Sequence, residues 1–478
     1  MKIALGVSIA LLGGGCALPD AGRGAEPGVL AWSEPIADEV RRIGQHAVEE
    51  DGMVGVAIGV AIDGRLVYTQ GFGHADVGRT VPVEPATVFD IASVGKQFTA
   101  AAVLRLAEQG KLRLSQRARE LVPELPEHFP NATIEELLRH TSGFVGGELD
   151  ESDAPANYAR RRYGVDLLTD IELQGGTAVY RVGESWVYCN PGYLVLGIVV
   201  EKASGMRYDE FVRTQLLAPI GLASVTVCER VEGPLMSNAI ARTESGIAEV
   251  PFIDMTAYSG QGSICSSVVD LLAWSRALNT GRVIEPASLA QMRSPSRVRG
   301  DADVREVPYG MAQRLGAIGE HRKVGHTGTF DGGSAALAYY PDAGLEIAVL
   351  SNTRGNGTPH AYSIEAAIAK LVLGHEDPDV RALARPVTPA QRRAIEGVYT
   401  EGAVRFGAAI EADELVVTRN GKEIERLVHL GGMRFRRPDR PDIFEWFEMD
   451  GETAGWWVYS VSGNYVGVSR REGATDAR

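Results

Sequence analysis

Two hairpin patterns, far apart in the chain, set the main constraint on its fold. The first, MVGVAIGVAIDGRLVYTQGFGHAD (residues 53–76), has two β-rich runs around Asp63-Gly64. The second, SAALAYYPDAGLEIAVLSNT (residues 334–353), has two more around Pro341-Asp342-Ala343-Gly344. Turn residues between apolar, β-branched runs read as antiparallel hairpins. Helical patterns accompany them: IADEVRRIGQHAVEE before the first, FDIASVGKQFTAAAVLRLAEQGKL (residues 89–112) after it, and a last helix over about Ser363 to Leu373. The alanine-rich middle of the second of these reads as an amphipathic helix ending near Gly110. Strands at both ends with helices between predict one sheet assembled from distant parts and flanked by helices, an α+β arrangement.

From His375 the texture changes. EDPDVRALARPVTPAQ reads as a linker rich in charge and proline. Beyond it lie short alternating segments with turn signals at Asn420-Gly421 and Asp450-Gly451, which predict a small C-terminal antiparallel barrel or sandwich. The divisions expected are 1–28 for an export signal and spacer, 29–376 for the main α+β domain, 377–389 for the linker and 390–472 for the C-terminal β domain.

Composition excludes several functions. The formal net charge is -14 and no Lys/Arg-rich run occurs, so a nucleic-acid partner is set aside. There is no HExxH, the 9 histidines are scattered, and neither a GxGxxG nor a Walker pattern is present, so no metal and no cofactor is expected. The start, MKIALGVSIALLGGGCALPDAG, has one lysine, an apolar run from Ile3 to Leu12 and small residues after it. That run is about half the roughly 20 residues a membrane span needs, so it reads as an export signal. Cys16 follows three glycines and is a candidate lipid anchor, which would place the protein in the periplasm or cell envelope. Removal of the leader leaves Cys189, Cys228 and Cys265, an odd number with no CxxC spacing. They read as small buried hydrophobes, with a single disulfide as the alternative.

Ser93 and Lys96 stand three apart at the opening of the second helix. Such residues share a helix face, with Cβ atoms roughly 5–6 Å apart. A serine hydroxyl is a weak nucleophile until a neighbouring base takes its proton, and lysine is such a base only when neutral. The free N–H groups at a helix start can stabilise an oxyanion beside the serine. VYCNPGYLVLGIVVEKASG (residues 187–205) sets Tyr188 and Asn190 just before an apolar helix, where a loop could present both to one cleft. A tyrosine hydroxyl can relay protons where nearby cations favour its phenolate. VGHTGTFDGGSAALAYY (residues 324–340) puts His326, Thr327 and Gly328 at the start of a strand, where a glycine lets a substrate backbone approach the edge closely.

Together with GFGHADVGRTVPVEPATVFDIASVGKQFTA, TIEELLRHTSGF and SGQGSICSSVVDLLAWSRALNTG, these stretches resemble the serine β-lactamase and penicillin-binding-protein-like superfamily. The branch they are most similar to is the class C β-lactamase-related group, with its esterases and D-amino-acid peptidases. The resemblance spans about residues 40 to 375 and implies a β-lactamase/transpeptidase-like antiparallel sheet flanked by helices. It implies that Ser93 takes up an acyl group and that Lys96 is its partner base. It implies that Tyr188 shuttles protons to the leaving group and from the deacylating water, and that Asn190 hydrogen-bonds the acyl side of the substrate. The oxyanion hole would be the backbone N–H groups of Ser93 and Thr329, donors typically worth about 3 kcal/mol each in the transition state. His326, Thr327 and Gly328 match the third motif, which in β-lactamases and transpeptidases usually begins with lysine. Histidine there weakens the case for a carboxylate-bearing β-lactam and favours small esters or D-residue amides and peptides.

The function expected is therefore a serine hydrolase of esterase or D-amino-acid peptidase type. The alternatives are a β-lactamase or D,D-carboxypeptidase acting on penicillins or peptidoglycan stem peptides, and a non-catalytic penicillin-binding-like receptor. The partner expected is a small-molecule ester, peptide or β-lactam substrate, with the oligomeric state left open. His140 in RHTSG reads as a structural loop residue, and LDESDAPANYARRRYGVD (residues 149–166) as a solvated segment. Trp446, Phe447, Trp456, Trp457 and Tyr459 read as strand core, and the C-terminal module resembles lipocalin-like barrels appended to some peptidases of this superfamily.

Overall fold

A computed structural model describes residues 32–471 apart from 147–167, 169–173, 223–224, 229–235, 251–258, 300–303, 356, 377–378, 402–403, 438–441, 450–451 and 461–464. The leader with Cys16 and the segment 149–166 lie outside the described residues. Both predicted hairpins form. Asp63 and Gly64 take left-handed backbone, with φ of 51° and 72°, and join strands Gly55–Ile62 and Arg65–Gly73. Two consecutive left-handed residues match the twist of the flanking strands. Strands Gly333–Tyr340 and Leu345–Ser351 form the second hairpin. The two hairpins meet directly, with Val56 opposite Ser351 and Ile62 opposite Leu345. The sheet has six antiparallel strands in the order Arg314–Ile318, His321–Phe330, Gly333–Tyr340, Leu345–Ser351, Gly55–Ile62, Arg65–Gly73. The chain is an α+β fold of antiparallel sheet and flanking helices.

The alternation along the central strands sorts the helices. Val56, Ile58 and Val60, with Ile347 and Val349, face helices Glu34–Glu49 and Ala361–Leu373 and share a core with Val40, Ala47, Ile364 and Ile368. The opposite face is lined by small residues. Ala57 and Ala61 pack into the larger core, and a Cβ on Gly59 would lie 2.9 Å from Leu272 Cδ1. Small residues on this face let helix Val268–Asn279 lie close against the sheet. Each fully buried Val or Ile contributes roughly 1.5–3 kcal/mol by leaving water.

Behind that layer runs the helix Lys96–Glu108. Read from sequence as amphipathic, it is buried on all sides except at Arg105, Ala107 and Glu108. The reason is the neighbouring helix Asn190–Ser204, whose first turns are equally buried. A helix apolar all round belongs in an interior.

Of the two cysteine readings, the disulfide is the one present. Cys228 and Cys265 are joined, next to the paired strands Thr226–Val227 and Ile264–Ser266. Beyond a capped helix Pro389–Ile395, eight antiparallel strands from Gly397–Glu401 to Tyr465–Arg471 pair in chain order. The last pairs back to the first through Tyr399 opposite Arg471, closing the ring around Ile395, Ile410, Leu415, Leu427 and Phe435. The side chains of Trp446, Phe447, Trp456, Trp457 and Tyr459 lie outside what is described. Among the described residues, no helix is long and apolar enough to cross a membrane.

The bridge closes a sequence separation of 37 residues. Chain-entropy arguments give such a loop about 3 to 4 kcal/mol. Cys228→Ala/Cys265→Ala is therefore expected to melt several degrees below wild type in calorimetry. Thiol reductant should lower the wild-type transition and leave the variant's unmoved.

Candidate active site

Ser93 sits in a tight turn, not on the α-helix itself. Strand Phe89–Asp90 pairs with Ile264–Ser266, and the Asp90 carboxylate accepts the Ala92 N–H at 2.7 Å. That bond holds Ala92 at a left-handed φ of 46°, a costly conformation for a residue with a Cβ. A 3-10 turn, Ala92–Gly95, then leads into the α-helix at Lys96. In a turn of three residues, positions i and i+3 eclipse. This brings Lys96 Nζ to 3.0 Å from Ser93 Oγ.

Lys96 is fully buried. Its amine also donates to Asn190 Oδ1 at 2.8 Å and to the Gln261 carbonyl at 2.5 Å. The rings of Tyr188 and Tyr193 lie with their centroids 5.0 and 5.5 Å from Nζ. Asn190 is placed by the helix start, where Cys189 Sγ accepts the Gly192 N–H at 3.3 Å and Pro191 occupies the first turn. Tyr188 is half-buried, and its hydroxyl has no hydrogen-bond partner among the described residues. The Arg314 guanidinium lies 5.7 Å from the centroid of the Tyr188 ring.

Strand His321–Phe330 closes the far wall. A Cβ on Gly328 would stand 2.3 Å from the Ile91 carbonyl and 3.0 Å from Ser93 N, so only glycine allows this approach. Thr327 is half-buried and Thr329 exposed.

His326 departs from the expectation of substrate contact. It is 1% exposed, with both ring nitrogens engaged: Nε2 with the Tyr309 hydroxyl at 2.9 Å and Nδ1 with the Thr327 carbonyl at 2.7 Å. Burial, then Arg314 and Lys96, hold its pKa well below the usual imidazole range. His140 lies in the same cluster, fully buried, with Nδ1 accepting the Cys189 N–H at 3.1 Å and Nε2 3.2 Å from the same Tyr309 hydroxyl. Burial, then Lys96, His326 and Arg314, hold its pKa well down too. Both imidazoles are neutral at neutral pH.

Ser93, Lys96, Tyr188 and Asn190 are thus gathered around one amine, with Thr327, Gly328 and Thr329 on the adjoining strand. Sequence reasoning missed Arg314, Tyr309 and the Gln261 carbonyl. The first two carry no local motif, and only their place beside the third motif marks them. Among the described residues no cluster of His, Cys, Asp or Glu could hold a metal.

The family model described as Beta-lactamase matches residues 40–371. The chain belongs to the Beta-lactamase family. That family's members are β-lactamase-fold serine hydrolases. Penicillin-binding protein 4* of Bacillus subtilis (strain 168) is 27% identical over 330 residues, covering 65% of this chain and 70% of the relative. The octameric penicillin-binding protein homologue from Pyrococcus abyssi superposes with a TM-score of 0.61 at 20% identity, covering 90% of this chain and 99% of the other. D-amino acid amidase from Ochrobactrum anthropi SV3, complexed with D-phenylalanine, superposes with a TM-score of 0.61 at 18% identity, covering 71% and 99%. The two superpositions show a shared fold.

Burial pushes the Asp90 carboxyl up to about 7, against a smaller opposing effect of the Ala92 hydrogen bond. Its folded pKa is raised above the unfolded value of about 3.9, so its contribution to stability is fully present below pH 4 and is lost as pH rises towards 7. Asp90→Asn, whose amide oxygen can still accept from Ala92, should therefore raise the melting temperature at pH 8. The gain should vanish near pH 4. A melting-temperature difference independent of pH would show that Asp90 does not titrate in this way.

Proposed function

We propose that the chain hydrolyses ester or amide bonds of small acyl donors, D-amino-acid amides and peptides among them, through an acyl-enzyme on Ser93. The observation that carries this is the 3.0 Å contact between Ser93 Oγ and a fully buried Lys96 amine, itself fixed by Asn190 and Gln261. In this reading Lys96 acts as the neutral amine: it donates to Asn190 and Gln261, and its lone pair takes the Ser93 hydroxyl proton as Oγ attacks the substrate carbonyl. The backbone N–H groups of Ser93 and Thr329 receive the developing oxyanion. The Tyr188 hydroxyl, without a hydrogen-bond partner among the described residues, passes a proton to the departing amine or alcohol and later takes one from the water that frees the acyl group. Asn190 and Thr327 line the acyl side. The resemblance in fold to a D-amino acid amidase supports the substrate class.

One observation favours a second reading. Arg314 brings a permanent cation beside Tyr188, where the third motif has a buried neutral histidine instead of lysine. A guanidinium suits a carboxylate, so substrates that carry one, such as penicillins or a peptide with a C-terminal D-residue, would also be held. The expected leader would deliver such an enzyme to the cell envelope.

Three changes test this on a panel of p-nitrophenyl esters, D-amino-acid p-nitroanilides and nitrocefin. Ser93→Ala and Lys96→Met should each lower kcat by at least about a thousandfold while the melting temperature stays near wild type. Normal turnover in either variant would remove that residue from the chemistry. Arg314→Gln should raise KM about tenfold for nitrocefin, which carries a carboxylate, and leave neutral esters within about twofold. Equal effects on both classes would reject the second reading.

A further inference from the structure

The two buried histidines share the Tyr309 hydroxyl, which also has Tyr193 as a side-chain hydrogen-bond partner, and the bonds at the two imidazoles follow one direction. Cys189 N–H fills His140 Nδ1, so the proton of neutral His140 is on Nε2, 3.2 Å from Tyr309 Oη. The Thr327 carbonyl can only accept, so the proton of neutral His326 is on Nδ1. His326 Nε2 is left as an acceptor, 2.9 Å from the same Tyr309 hydroxyl. The chain therefore runs Cys189 N–H to His140, His140 to Tyr309, Tyr309 to His326, and His326 to the Thr327 carbonyl. It begins between Tyr188 and Asn190 and ends inside the third motif.

Tyr309 itself is fully buried and fixed through its backbone. Its carbonyl accepts the Ser296 N–H at 2.7 Å, its N–H donates to the Val307 carbonyl at 2.6 Å, and it bridges to Arg314. Its ring packs against His140, Trp186 and His326 with centroids 5.0, 5.3 and 5.8 Å away.

We propose that Tyr309 is a positioning residue of this active site: by accepting from His140 and donating to His326, it ties the Tyr188–Asn190 loop to the third-motif strand and locks His326 in one tautomer, with Nε2 the acceptor and Nδ1–H the donor. This rests on the acyl-enzyme reading. Its consequence is that His326 neither gives nor takes a proton during turnover, leaving proton traffic at Tyr188 to Lys96 and the substrate. The charged and titratable groups facing the pair are Lys96 from its helix, Arg314 from the edge strand, Tyr188 and Tyr193 from the second motif and its helix, and Tyr309 between them. Both cations oppose protonation of either imidazole, as does burial.

Tyr309→Phe keeps the ring and removes the link. His140 Nε2–H then lacks an acceptor and His326 Nε2 lacks a donor, in a dry site where unmatched polar groups are costly. His326 becomes free to exchange tautomers or to take up a proton.

The test is nitrogen NMR of the full chain with selectively labelled histidine, assigned by single His replacements, beside the pH profile of ester hydrolysis. In wild type, His140 should be neutral with its proton on Nε2 and His326 neutral with its proton on Nδ1, neither titrating between about pH 5 and 9. In Tyr309→Phe, the His326 signals should average between tautomers or titrate. The acidic limb of kcat/KM should move up by about one pH unit and kcat at pH 7 should fall about tenfold, with KM within twofold. His326→Gln, whose amide oxygen can accept from Tyr309, should keep the wild-type limb. A wild-type His326 protonated on Nε2 would overturn the proposal even if Tyr309→Phe failed to fold. So would unchanged tautomers in Tyr309→Phe with a kcat loss equal at every pH. The tautomer readout needs no turnover, so it stands or falls separately from the hydrolase reading, which fails if Ser93 never acylates.

Discussion

Everything at this site depends on where the Lys96 amine is held. Its three oxygen partners come from its own turn, from the start of the helix Asn190–Ser204 and from the loop before strand Ile264–Ser266. No two of these segments are neighbours in sequence. A buried amine that lost one partner would forfeit a hydrogen bond that the interior does not replace. The fold therefore has to bring the three together before the chemistry can exist. The close approach at Gly328 and the Cys228–Cys265 bridge near the Gln261 loop are the means visible in the structure.

The cleft has a wet side and a dry side. Ser93, Tyr188, Asn190, Arg314 and Thr327 are half-buried and Thr329 is exposed. Lys96, His140, Tyr309 and His326 are buried behind them. In the proposed mechanism, proton transfer and acyl transfer belong to the first set together with the amine. The second set decides how firmly the first is held and which charges it feels. In a low-dielectric interior, two neutral imidazoles leave the fields of Lys96 and Arg314 undiluted.

The hairpins were legible because period-two apolar runs around Asp63-Gly64 and Pro341 to Gly344 are local signals, and their turn residues carry the geometry. The S-x-x-K spacing was legible for the same reason, although the 3-10 turn was not: its cause is the Asp90 bond to Ala92, whose geometry no spacing records. The burial of helix Lys96–Glu108 on nearly every side was missed because it depends on a partner helix nearly a hundred residues away. His326 was placed with the substrate on the strength of its motif. Its true orientation depends on Tyr309, which lies in an unremarkable stretch, PYGMAQRLG, that also hides Arg314. Residues whose role comes from a tertiary contact leave no mark in one sequence.

The central claim is that a covalent acyl group passes through Ser93. The most direct measurement is intact-mass and peptide-mapped mass spectrometry of the enzyme quenched in acid during steady-state turnover of a p-nitrophenyl ester. The account predicts an added acyl mass confined to the peptide bearing Ser93, present within the first turnover and gone when substrate is exhausted. Hydrolysis at full rate with no such adduct, or with the acyl group on another residue, would contradict it.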